Sequence, residues 1–119
     1  MPNLDIVKFY TESVDLTSTA DTDIYVVPSS FSAVIKHLFV SNNGSNNEDY
    51  TLKFFHADDS ATHTLLDTHN ITDGKSIETI FDDGKPFFMH QGDKLIVAAG
   101  TANKLVVTVC AEEYFDPNR

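Results

Sequence analysis

The alternation of apolar and polar positions is clearest over residues 90–115. Gly92-Asp93 is a turn signal, and Leu95-Ile96-Val97-Ala98-Ala99 is a short apolar run. Residues 100–103 form a connection of the length that joins antiparallel strands. Residues 104–115 then read as a long strand, with β-branched Val106, Val107, Thr108 and Val109 at its centre. A period of two sends Leu105, Val107, Val109 and Ala111 to one face, and Val106, Thr108 and Cys110 to the other. Both faces are largely apolar, so the pattern predicts a β-hairpin in the middle of a sandwich. One face meets the core, and the other meets a neighbouring element or another subunit.

Upstream, the chain reads as short strands separated by turns. Residues 1–16 are extended, with Leu4, Ile6 and Tyr10 on one face and Val7 and Phe9 on the other. They suit an edge strand or, alternatively, an arm that pairs with a neighbouring chain. A polar loop follows over 17–23, then a short strand over 24–27 that Pro28 closes. Residues 32–42 predict a strong strand, with Val34, Lys36, Leu38 and Val40 on one face and Ala33, Ile35, His37 and Phe39 on the other. Residues 50–57 place Tyr50, Leu52, Phe54 and His56 together. A weaker strand is expected over 63–71 and another over 76–81, with Ile77, Thr79 and Phe81 on one face. Phe87-Phe88-Met89 leads into the hairpin. Eight or nine short strands at even spacing predict an all-β, single-domain antiparallel sandwich, jelly-roll-like. Residues 1–23 form an N-terminal edge strand or arm plus loop, 24–115 the sandwich and 116–119 a C-terminal tail.

Composition agrees with the pattern. The 119 residues suit one domain, and they include ten Val, seven Ile, twelve Thr and nine Phe against one Arg, one Gln and two Met. The formal net charge is −10, a sign that phosphate backbones and anionic bilayers repel. Neither nucleic acid nor membrane is therefore expected as a partner. No stretch approaches the roughly 20 apolar residues of a spanning helix. Asp5 stands where a signal peptide would carry basic residues, so synthesis in a cytoplasm is expected.

Candidate chemistry is thin. Cys110 is the single cysteine and excludes a disulfide within the chain; its mid-strand place suits a buried, inert thiol. His63 and His69 stand roughly 20 Å apart on a regular strand, too far for one ion. His37, His56 and His90 come from other strands, without the paired His spacing of a cupin-like metal site. Asp21-Asp23, Asp58-Asp59 and Asp82-Asp83 lack a calcium-loop pattern and read as solvated turns. There is no nucleophile elbow and no Gly-rich phosphate loop. No enzyme, cofactor or metal is expected.

Two segments together resemble a known family. Tyr25-Val26-Val27-Pro28 opens a strand that ends in Val40-Ser41-Asn42 and is followed by Tyr50-Thr51-Leu52-Lys53-Phe54. Later, Gly92-Asp93-Lys94-Leu95 is followed by Val106-Val107-Thr108-Val109 and Glu112. This order resembles small β-sandwich structural proteins of tailed bacteriophages. The resemblance implies a non-enzymatic virion protein that stabilises the head shell as a capsid decoration or cement protein. Its partners would be the major capsid protein or other virion proteins, and it would form a homo-oligomer, with a trimer favoured. A neck, tail or fibre component is the alternative within virions, and a carbohydrate- or ligand-binding sandwich is the alternative outside them. Leu4, Ile6, Val7, Phe9, Tyr10, Phe87 and Phe88 are the apolar residues expected at contacts with other copies or with the shell, because one core cannot absorb them all.

Overall fold

The computed structural model describes residues 7–72, 74, 76–82 and 84–117. Among the described residues, nine strands follow one another: β1 (Val7–Asp15), β2 (Thr22–Val26), β3 (Phe31–Asn42), β4 (Glu48–His56), β5 (Ala61–Ile71), β6 (Ile77–Phe81), β7 (Phe87–Met89), β8 (Lys94–Ala99) and β9 (Leu105–Phe115). One sheet, A, has the order β1-β9-β3-β6, with β7 also on β3; the other, B, has the order β2-β8-β4-β5. Every pairing is antiparallel. β6 pairs with the C-terminal half of β3 and β7 with its N-terminal half, so the two act as one interrupted edge strand. Counted that way, consecutive strands divide between the sheets as in a jelly roll.

Alternation builds the core between the sheets. Sheet A turns Ile35, Leu38, Val40, Val107 and Val109 inward, and sheet B turns Tyr25, Tyr50, Leu52, Leu95 and Val97 to meet them. Within each unbroken run of a strand these side chains fall at every second position because the pleat alternates faces.

The expected hairpin is corrected. β8 lies between β2 and β4 in sheet B, and β9 lies between β1 and β3 in sheet A. The connection crosses from one sheet to the other. It does not close on itself: Gly100 N–H donates to the Asp49 carbonyl (2.7 Å) and Asn103 N–H to the Leu16 carbonyl (2.9 Å). Two strands that are each apolar on an inner face satisfy the same pattern as facing layers as they do as neighbours.

Two strand phases are corrected as well. β3 shifts register between Ile35 and His37 against β9. This bulge lets Ala33 and Ile35 face the core before it, and Leu38 and Val40 after it. A strict alternation had put Val34 with Leu38. In β6 a register shift between Phe81 and Thr79 leaves Ile80 as the extra residue. Ile80 and Phe81 both pack on the core, whereas Ile77 is 66% exposed.

Buried polar groups act as fasteners. The Asp93 carboxylate is 2% exposed and accepts the N–H groups of Ala57 and His90, both at 2.9 Å. It follows Gly92, whose φ of +85° glycine adopts without strain. Tyr25 Oη donates to Glu113 across the core, and Tyr50 Oη donates to Glu78, joining sheet B to sheet A at both ends of the sandwich. Burial, then the bond to Glu113 and its charge, push the Tyr25 hydroxyl well above its ordinary pKa; burial and Glu78 do the same for Tyr50.

Candidate docking surface

The residues expected at contacts separate by face. Leu4 and Ile6 lie outside the described residues. Tyr10 and Phe87 turn inward and pack against the core, with Phe87 edge-on to Phe54 at 5.0 Å and stacked on Phe81 at 4.9 Å. Val7, Phe9 and Phe88 turn outward and are 38%, 80% and 68% exposed.

The pairing registers bring the outward residues together. Phe9 lies opposite Glu112, Glu112 opposite Val34, and Val34 opposite Phe88. One row thus runs across β1, β9, β3 and β7 on the outer face of sheet A. With strands about 4.8 Å apart, Phe9 and Phe88 stand roughly 14 Å from one another. A parallel row carries Ser13, Thr108, Phe39 and Thr79, in which the Ser13 and Thr108 hydroxyls meet at 2.8 Å. Another carries Asp15, Val106, Ser41 and Ile77. Hydroxyls, methyls and phenyl rings therefore dominate the face. Charged side chains among the described residues of this face include Glu112, which accepts the Tyr114 hydroxyl at 2.5 Å, Asp15 at one margin, and Lys36 at the bulge beside His37.

Cys110 belongs to this face and not to the core. It is half-buried, with Thr11 and His37 as its cross-strand neighbours. The inward positions of β9 are odd-numbered, which leaves the thiol on the outer side. Sequence parity had already paired it with Val106 and Thr108; the expectation of burial failed because nothing described covers that side.

The histidines do not gather. His69 meets Glu78 at 2.7 Å beside the Tyr50 ring. His56 and His63 stand near Asp59, at 3.4 and 3.7 Å, at the β4–β5 turn. Desolvation is the largest single influence and works against the Asp59 charge, but the Ala61 N–H and the two imidazoles together outweigh it and hold its carboxyl below the usual range. Among the described residues, no group of three or more His, Cys, Asp or Glu is placed to hold a metal ion. Two shallow clefts, about 230 and 250 Å³, are lined mainly by loop and strand-end residues such as Asn43, Asn103 and Lys104, or Asp49, Thr68 and Gly100. Among the described residues there is no helix long and apolar enough to cross a membrane.

Sequence reasoning found Phe9 and Phe88 but not Val34, Cys110 or Ile77 beside them. The row needs the β3–β9 and β3–β7 registers, which a one-residue bulge alters.

No family model and no curated protein matches the chain. Among solved structures, a subunit from Bacillus endospore appendages, described as a novel family of disulfide-linked pili, is similar at 13% identity with a TM-score of 0.48, over 92% of this chain and 88% of that one. The CBM22-1–GH10 modules of a Clostridium thermocellum endo-1,4-β-D-xylanase, complexed with xylohexaose, are similar at 11% identity with a TM-score of 0.39, over 98% of this chain and 27% of that one. At these scores neither likeness carries an argument about what this chain binds or builds.

Proposed function

We propose that this chain is a non-enzymatic structural protein that works by docking through the outer face of sheet A, and that it is a head decoration protein of a tailed bacteriophage. The row Phe9, Val34, Phe88 carries the docking role. Removing one phenyl side chain from water stabilises a contact by roughly 1.5–3 kcal/mol, and two such rings on one flat surface suit a partner of matching shape. The virion role rests on the motif order from Tyr25 to Glu112 described above. A net charge of −10 makes free copies repel one another, so apolar contact must dominate attachment, with a basic shell contributing to the rate of encounter.

The test is cosedimentation with preformed tailed-phage head shells. The intact chain should attach, and attachment should persist at high salt, because salt screens exposed charges beyond about 8–10 Å and leaves apolar burial intact. Phe9→Asp and Phe88→Asp should each reduce attachment by tenfold or more, an order-of-magnitude estimate from losing one buried ring. A chain that ignores such shells at any salt would overturn the virion role, and retention of binding by both variants would overturn the face.

A further inference from the structure

Four strand edges bound the two sheets, and they are not alike. β2 is 5 residues long, shifts register between Asp23 and Tyr25, and runs into Pro28. β5 shifts register twice against β4 and carries Thr68 at a φ of 51°. The β6/β7 edge is broken in two and shifts register against β3. Such interruptions are how proteins blunt an edge against pairing with another chain. β1 has none of them. It runs for 9 residues, Val7–Asp15, in unbroken register with β9, and no described strand lies on its other side.

Its sequence is also self-complementary. Lys8 and Glu12 are placed symmetrically about Tyr10, and Phe9 and Thr11 flank it on the opposite face. We propose that the free edge of β1 pairs antiparallel with the same edge of a second copy, with Tyr10 facing Tyr10 across a two-fold axis. Lys8 of each copy then faces Glu12 of the other, twice over, and Phe9 faces Thr11. Shifting the register by two residues in one direction sets Lys8 against Val14, and in the other sets it against Tyr10, so only the proposed register pairs the charges. Lys8 already sits over the Phe31 ring at 4.6 Å, and it gains Glu12 as a second partner. The pair joins two copies of sheet A into one continuous sheet and covers part of Phe9, the most exposed of the large apolar side chains described. An isologous contact of this kind closes on itself and does not propagate into fibres.

The inference deepens the docking role proposed above and rests on it for the premise that the chain works in an assembly. It replaces the three-fold oligomer implied by the family resemblance with a two-fold one.

Sedimentation velocity of the full chain across micromolar concentrations tests it, without shells. The native chain should sediment as a dimer. Lys8→Glu and Glu12→Lys should each weaken dimerisation by about tenfold or more, because each sets like charges opposite one another at both symmetric positions. The double exchange, Lys8→Glu with Glu12→Lys, should restore it to within about threefold. Far-UV circular dichroism should match among all four proteins, since both side chains are exposed, and melting temperature should rise with protein concentration only in those that dimerise. A monomer throughout, single variants that dimerise like the native chain, or a double exchange no better than the singles would each overturn the pairing. Phe88→Asp, at the far edge of the sheet, should dimerise normally. Failure of the docking role would appear in cosedimentation with shells, and failure of edge pairing in sedimentation without them.

Discussion

The inner faces of the two sheets are equivalent, and the outer faces are not. Sheet B closes its outer face with its own side chains. Lys53 bridges to Asp21 at 3.1 Å, Lys94 pairs with Asp23 at 3.6 Å and lies over the Phe55 ring, and Asn70 donates to Asp49 at 2.6 Å. Sheet A presents phenyl rings, methyls and hydroxyls instead. Its Phe9, Phe88 and Ile77 are 80%, 68% and 66% exposed, against 42% for Val26 and 39% for Leu65 on sheet B. A sandwich needs only one apolar face from each sheet to fold. An apolar outer face on sheet A alone is thus surplus to folding, and that surplus is what a docking role uses.

If the inner faces are equivalent, truncation in either sheet should cost alike. Leu38 of sheet A and Leu52 of sheet B are both fully buried. Leu38→Ala and Leu52→Ala should each lower unfolding free energy by about 2–5 kcal/mol in urea titrations. A loss under about 1 kcal/mol at one of them would show that its sheet contributes little to the shared core.

The cross-sheet tyrosines sharpen the point at smaller size. Tyr25→Phe leaves Glu113, 6% exposed, without that donor, and should cost about 1–3 kcal/mol. Tyr50→Phe should cost less, because Glu78 keeps His69 at 2.7 Å. Both hydroxyls are held above their ordinary pKa, burial first and the glutamate second. Above about pH 10 the unfolded tyrosines release protons that the folded ones keep. Their stabilisation is therefore complete below that pH and lost as pH rises beyond it, a decline that Tyr25→Phe should shift or flatten. Alkaline unfolding profiles identical for the native chain and Tyr25→Phe would count against this coupling.

The smallest effect belongs to the outer face of sheet B. The Lys53 and Asp21 side chains are 29% and 53% exposed, so Lys53→Ala should cost no more than about 1 kcal/mol. It should leave shell attachment unchanged. Equal damage to attachment from Lys53→Ala and Phe9→Asp would erase the distinction between the faces.

Much of this architecture was legible in the chain. The strand-former balance and turn spacing predict the antiparallel sandwich, and the period of two in 105–111 names the core face of β9 correctly. Parity also separates Val7 and Phe9 from Tyr10. What parity could not supply is anything decided by register. The bulge at Lys36–His37 reverses the phase of β3, so half of that strand was assigned to the wrong side. Phe87 and Phe88 are adjacent and chemically identical, and only their pairing with Ile35 and Val34 tells which one faces out. The Tyr25–Glu113 bond joins residues 88 apart in sequence, and no local pattern announces it. The crossing between β8 and β9 was misread because a short Gly-containing loop between two apolar runs fits a hairpin and a passage between layers equally well.

Cys110, the sole cysteine, stands at the middle of the outer face of sheet A and reports directly on whether that face is the working surface. The decisive measurement is its rate of alkylation by iodoacetamide in the free chain and in the chain bound to head shells, with Thr51→Cys in a Cys110→Ser background as the matching probe on sheet B. Docking through sheet A predicts that shell binding slows alkylation of Cys110 by tenfold or more, on the order expected when a surface is sealed from solvent for most of the time, and leaves the probe at position 51 unchanged. An unchanged rate at Cys110 with protection at position 51 would contradict it.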